Sequence, residues 1–367
     1  MIPVEYYTTV YYILLCVILV IFLLPKLLAK SLEFNYTFTQ KAFSFAILTI
    51  CILFIGLRDP LGAFEYFGDT RAYTRTFEKI KYGYKTEFTK DIGFYVYMKL
   101  ISSFASVKFF YLISAFIYVY LPYLTFKKWF RDYSIFVFIA YVASFSFLPF
   151  GINGLRNGLA SAIFIFGLSF FDKKWFMFIL FALSISFHKG MLLPLFAFFM
   201  SYFIQSPKKI LLIWLLSIPI SYTIGKNIES LALLVFGEDT FLQDERAQTY
   251  FSEESNIEKV AGQFRIDFII YSAIAVFVGY WAIIKKGFNN ILYKKIWSLY
   301  LIANAIWILL IYVPYTNRIA YLSWFIMPVV LTAPFISEIR YSIKNNKQKL
   351  LYVMYGSLVF TLIMELI

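Results

Sequence analysis

The chain has 367 residues, 61% of them apolar and only 15% charged, with a mean hydropathy of +0.73. Soluble domains hold about half apolar and about a quarter charged residues. Composition therefore excludes a set of soluble domains and makes lipid the solvent for most of the chain. The net charge of +13 comes without a basic soluble domain, which argues against nucleic acid as a partner and fits basic cytoplasmic loops.

The first apolar run, Tyr6 to Leu24, is too long for the core of a signal peptide and lacks a small-residue cleavage site, so it reads as a retained span. Cys16 and Cys51 both fall inside apolar runs, so neither a disulfide nor a thiol metal site is expected. Further apolar runs bounded by charge or turn residues follow at 41–57, 107–126, 134–150, 156–171, 174–188, 190–205, 209–225, 265–284, 296–313, 318–336 and 350–366. The expected fold is an all-α, polytopic transmembrane bundle of about twelve spans, 1–367 forming one domain. Paired basic residues mark alternate loops: Lys26/Lys30/Lys41, Lys127/Lys128/Arg131, Lys173/Lys174, Lys208/Lys209, Lys285/Lys286 with Lys294/Lys295, and Arg340/Lys344/Lys347/Lys349. Their shared parity places them in the cytoplasm and both termini outside.

The other parity holds two long loops, 58–92 and 226–264. The second is acidic, carrying Glu229, Glu238, Asp239, Asp244, Glu245, Glu253, Glu254 and Glu258, and reads as an external lid or a solvated loop. The first carries Arg58, Arg71, Arg75, Lys79, Lys81, Lys85 and Lys90 against the usual bias, which suggests positive charge kept for a ligand. Within it, Thr70 to Tyr84 has the pattern of an amphipathic helix. Arg71, Arg75 and Lys79 share one face and Tyr73, Phe77, Ile80 and Tyr84 the other, as in a helix lying in the membrane interface. Asp69 and Thr70 are N-cap candidates. Phe94 to Phe104, interrupted by Lys99, is expected to be a second interfacial or re-entrant segment.

Ionisable residues at membrane depth are costly and mark functional sites. On this topology they converge on the external side. Arg58 ends the second span, Arg156 and Asn157 open the fifth, and His188 and Lys189 end the sixth. Arg265 and Asp267 open the ninth, and Asn317 and Arg318 the eleventh. Each has a plainer explanation too: arginines snorkel at span ends, a lone histidine can pair between helices, Asp69 can simply cap, and Asp267 can pair with Arg265. Arg156 stands out because Asn153, Gly154, Asn157 and Gly158 surround it in a tight turn. No Gly-rich phosphate loop, HExxH, GxSxG, Asp-x-Asp or Cys/His cluster occurs, so neither a nucleotide site nor a metal is expected. Several arginines with one histidine and a carboxylate suit a diphosphate-bearing lipid, whose oxygens the guanidinium fork matches.

In order, Gly56-Leu-Arg58, Gly68-Asp69-Thr70 with Tyr73, Gly154-Leu-Arg156-Asn157-Gly-Leu-Ala160, Ser186-Phe-His188-Lys189 and Asn317-Arg318-Ile-Ala-Tyr321 resemble the EpsG/Wzy-like family of oligosaccharide repeat-unit polymerases. The likeness runs from roughly residue 40 to 335, with Asn157 where that family more often has glutamine. It implies a GT-C-like membrane glycosyltransferase in the bacterial cytoplasmic membrane. Its active site would face the periplasm or cell exterior and act on undecaprenyl-diphosphate-linked oligosaccharides without cofactor or metal. A flippase and a chain-length regulator are the implied partners beside membrane lipid. On that resemblance Arg156 and Arg318, with Arg58 in support, would bind the diphosphate, and His188 or Asp69 would serve as general base. Arg71, Tyr73, Arg75, Asn157, Lys189 and Asn317 would meet glycan or headgroup. Two alternatives stay open: a glycosyltransferase using a polyprenyl-phosphate sugar, and a non-enzymatic flippase or transporter of the lipid-linked repeat. A membrane acyltransferase with a lone histidine is a third, less favoured.

Overall fold

The computed structural model describes residues 3–28, 38–62, 64–84, 91–236, 263–313, 316–339 and 344–366. Among them every regular element is helical. The helices are α1 (Tyr7–Leu28), α2 (Phe38–Gly56), α3 (Phe64–Phe67), α4 (Thr70–Lys81), α5 (Ile92–Ser102), α6 (Val107–Phe130), α7 (Ser134–Val142), α8 (Phe147–Ile152) and α9 (Leu155–Leu168). They continue as α10 (Lys174–Phe187), α11 (Leu192–Phe203), α12 (Pro207–Phe236), α13 (Ile266–Tyr280), α14 (Ile291–Leu309), α15 (Thr316–Trp324), α16 (Met327–Ile339) and α17 (Lys344–Leu366). Among the described residues four helical stretches are long and apolar enough to cross a membrane: Val107–Val142, Pro207–Asn227, Ile266–Lys285 and Thr316–Ile336. Seven shorter apolar helices accompany them. Among the described residues the expected runs are thus helical, and these four have the length and hydropathy of a span.

Some of the expected runs are interrupted locally. The run 134–150 is split into α7 and α8 around Ser144 and Ser146, and the Ser144 hydroxyl donates to the Tyr141 carbonyl. Such side-chain bonds compete with the helical ladder. The run 318–336 is also divided, into α15 and α16, yet Thr316–Ile336 keeps the length and hydropathy of a span. At Arg131 the backbone turns left-handed (φ 49°), ending α6 where the basic cluster predicts a loop. Most of the acidic stretch 226–264 lies outside the described residues, as do Lys85 and Lys90.

Two compact units are present, Met1–Leu192 with Leu331–Ile367, and Leu193–Val330. In the first, α6 runs beside α2 and α9, and α9 packs on α10. A Cβ on Gly56 would lie 2.9 Å from the Leu112 backbone, so glycine there sets the α2–α6 approach. In the second, α12 packs on α14 and α14 on α15. Its core holds the fully buried Asn304, which accepts from Trp214 Nε1 (2.7 Å) and donates to Ser272 and Ser323 (3.0 Å each). A buried amide with every partner supplied fixes the register of four helices.

Candidate functional site

α4 forms as its pattern predicts, although it ends at Lys81 and leaves Tyr84 exposed beyond it. Arg71, Arg75 and Lys79 are exposed, while Tyr73 and Phe77 are buried. The apolar face is covered by protein: Phe77 lies 5.3 Å from Phe110 of α6, and Tyr73 5.6 Å from Phe94 of α5. Phe94 in turn meets Phe187 at the end of α10. This aromatic layer holds the starts of α4 and α5 against α6 and α10.

Above that layer the chain places a carboxylate that the sequence motifs do not mark. Asp91 precedes α5 in the left-handed region (φ 55°) and is 6% exposed. Asp and Asn are the side chains that tolerate this conformation best after glycine. One oxygen, Oδ2, accepts from Arg156 Nη1 at 2.8 Å and lies 3.4 Å from His188 Nδ1. The other, Oδ1, accepts the Lys189 backbone N–H at 3.0 Å. Burial alone would raise the Asp91 pKa. The His188 hydrogen bond and charge, Arg156 and the Lys189 amide outweigh it and hold the carboxyl below its ordinary range.

Each partner is presented by a break in a helix. α10 ends at Phe187, and His188 takes an extended backbone (φ −155°, ψ 118°) before the single turn Lys189–Met191. That turn leaves the Lys189 amide pointing at Asp91 instead of into a helical ladder. Arg156 sits in the first turn of α9, and its Nε donates to the Tyr73 hydroxyl at 3.3 Å. Asp91 and Tyr73 together fix the plane of the guanidinium. Arg156 and His188 each keep about a quarter of their side chains exposed (24%), so both are reachable. Gly93 makes the arrangement possible, since a Cβ there would fall 2.1 Å from Ser186 Oγ and 2.9 Å from its backbone carbon.

Arg58 is bonded to the start of α4 and not to Asp91. It is 3% exposed, donates to Thr70 Oγ1 (3.1 Å) and the Ile55 carbonyl (2.7 Å), and stacks on Tyr111 at 4.1 Å. Its Nη2 has no hydrogen-bond partner among the described residues, nor have the buried Oδ1 atoms of Asn153 and Asn157. Asp69 is buried at the head of α4 beside Thr70, whose carbonyl accepts from Tyr111. Gly68 (φ 47°) packs that head against Asn153 in the α8–α9 turn so closely that a Cβ added there would lie 2.8 Å from Asn153 Cγ. The head of α4 is thus the bracket between Arg58 and Arg156.

The structure therefore brings Arg156, His188 and the Lys189 amide to one point, with Tyr73 as support and Asp69, Arg58 and Asn157 on the flanking elements. Tyr73, expected to touch glycan, is 3% exposed and accepts a hydrogen bond from Arg156. Lys189, Arg71 and Arg75 are exposed. Asn317 (half-buried) and Arg318 (exposed) stand in the first turn of α15 in the second unit. There Arg265 and Asp267 form their own pair at 2.6 Å. Among the described residues no three His, Cys, Asp or Glu side chains are grouped to hold a metal ion.

No curated protein and no solved structure matches the chain. A family model described as the EpsG family matches residues 41–366, a stretch that contains every residue of the Asp91 cluster. The chain belongs to the EpsG family.

Proposed function

We propose that the protein polymerises undecaprenyl-diphosphate-linked oligosaccharide repeat units by glycosyl transfer at the outer face of a bacterial cytoplasmic membrane. Family membership makes it a polysaccharide-related polymerase of glycosyltransferase type in general terms, carried by apolar helices suited to a membrane. The observation that supports the finer reading is the shared carboxylate: a guanidinium and an imidazole are held together, partly exposed, on Asp91.

In the proposed reaction, a hydroxyl of the incoming repeat unit attacks the anomeric carbon of the growing glycan. The new C–O bond forms as the bond to the diphosphate breaks, and undecaprenyl diphosphate leaves with the electron pair. Three demands follow: a base for the hydroxyl proton, stabilisation of the cationic sugar carbon, and cations for the departing diphosphate. Arg156 meets the diphosphate, and His188 or Asp69 takes the proton. Arg318 is a second candidate for the diphosphate, and Arg58 supports by holding the head of α4. Asn157, Asn317, Lys189 and the exposed Arg71 and Arg75 would meet glycan or headgroup. A chain-length regulator and a flippase are the partners such a reaction calls for.

Arg156→Lys tests this directly, because lysine keeps the charge but loses the planar fork. The polysaccharide ladder of cells carrying it collapses to single repeats at normal protein level. Full-length polymer in that variant removes Arg156 from the site. His188→Ala and Asp69→Asn, compared in the same cells, assign the base: the variant that abolishes polymer while preserving the protein identifies it. A polyprenyl-phosphate-sugar transferase would instead leave repeats lacking one sugar, and a flippase would leave them on the cytoplasmic leaflet.

A further inference from the structure

We infer that Asp91 is a positioning residue that fixes His188 with its proton on Nδ1, so that the Nε2 lone pair faces the acceptor sugar hydroxyl. This rests on the polymerase reading and chooses His188 over Asp69 as the base.

The geometry leaves little alternative for the carboxylate. An ionised carboxylate only accepts, so an imidazole facing Oδ2 through Nδ1 must turn an N–H toward it. In the neutral imidazole the second nitrogen is then the acceptor, the same relation by which buried carboxylates orient histidines elsewhere. Asp91 is itself held from three directions: Arg156 from α9, the Lys189 amide from the α10–α11 turn, and its own left-handed backbone before α5. Tyr73 of α4 bonds Arg156, and Asp91 faces His188 directly, with Arg156 and Tyr73 behind it and Lys189 next in the chain. Strained backbone at a buried, multiply bonded side chain is expected where a site demands one geometry. As the new glycosidic bond forms, the hydroxyl proton passes to Nε2 and the diphosphate departs. Asp91 stays ionised and touches neither substrate.

The shared oxygen adds a second consequence. Arg156 holds Oδ2 at 2.8 Å and His188 stands off at 3.4 Å. A diphosphate that draws the guanidinium toward itself leaves Oδ2 to the imidazole, which can then close to ordinary hydrogen-bond distance. Binding of the donor would tighten the base's orientation.

Asp91→Asn is the decisive variant, because asparagine keeps the shape and the left-handed preference. The Lys189 amide claims the asparagine oxygen, so the NH2 faces His188 Nδ1 and turns the ring to the Nε2–H form. His188 is the only histidine in the chain, so full-length protein labelled with [15N]histidine gives one pair of ring-nitrogen signals. Wild type should be protonated at Nδ1 and Asp91→Asn at Nε2. With lipid-linked repeat units extracted from cells lacking the protein, kcat in the variant should fall by about 10- to 100-fold. Arg156→Lys should keep the Nδ1–H signal. Wild type protonated at Nε2 overturns the inference even if the variant does not fold, and so does Asp91→Asn with wild-type kcat. If wild type makes no polymer from these lipids, the polymerase reading fails, while the nitrogen signals still report on Asp91 independently.

Discussion

Replacing Gly93 with alanine should disable the site without touching any of its polar groups. The added Cβ would lie 2.8 Å from Ser186 Cβ and 2.9 Å from Ser186 carbonyl carbon, besides the 2.1 Å clash with Oγ. The hydroxyl can rotate away, but the other two atoms belong to the α10 framework. Restoring ordinary contact at 3.4 Å means backing α5 off by about 0.6 Å. Carried to Asp91, two residues earlier, that shift takes the Lys189 N–H···Oδ1 bond from 3.0 Å to about 3.6 Å, beyond hydrogen bonding. The His188 Nδ1 contact, already 3.4 Å, opens to about 4 Å. Overpacking of this size costs about 1 to 3 kcal/mol, which most folded chains survive. The assay is the polysaccharide ladder at matched protein level, with thermal melting of the purified variants. Gly93→Ala should yield single repeats from a folded protein. Ser186→Gly, which removes Oγ and Cβ, should return part of the ladder in the double variant although it has little effect alone. Full-length polymer from Gly93→Ala would refute the view that the α5–α10 approach sets the Asp91 geometry.

Other outcomes follow from the same contacts. Because the Asp91 pKa is lowered in the folded protein, its contribution to stability is fully present above the unfolded value of about 3.9 and is lost as pH falls through the lower, folded value. Melting temperature followed from pH 6 down to acid should therefore drop more steeply in wild type than in Asp91→Ala. At pH 7 Asp91→Ala should be less stable by about 2 kcal/mol, a buried-pair loss discounted because Arg156 is a quarter exposed. Gly68→Ala should lower both stability and polymer yield, since its backbone is left-handed (φ 47°) and its Cβ would meet Asn153 at 2.8 Å. Polymerisation by the purified protein is expected to persist in a strong chelator, and inhibition reversed by divalent cations would contradict that.

Helix positions were readable because they follow from long apolar runs and from the four-residue spacing of Arg71, Arg75 and Lys79, both of which act locally. The points at which those runs are interrupted were not, because the breaks between α7 and α8 and between α15 and α16 fall in sequence that is apolar throughout. Arg156, His188 and Lys189 were legible as charges in apolar context. Asp91 was not: it sits beside Lys90 in a polar stretch, and its partners lie 65 and 97 residues away. Its one local signal was an acidic residue directly before the apolar run at 92, which suits a helix cap equally well. Tyr73 was legible as a helix-face residue, yet the partner for its hydroxyl, 83 positions on, was not.

Reconstitution offers the most direct test of the central claim. Purified protein in lipid vesicles, given undecaprenyl-diphosphate-linked repeat units on the outer face, should release undecaprenyl diphosphate and build a ladder of increasing repeat number. His188→Ala and Arg156→Lys should give neither. Ladders of wild-type length from either variant, or repeats left unjoined by wild type, would contradict the account.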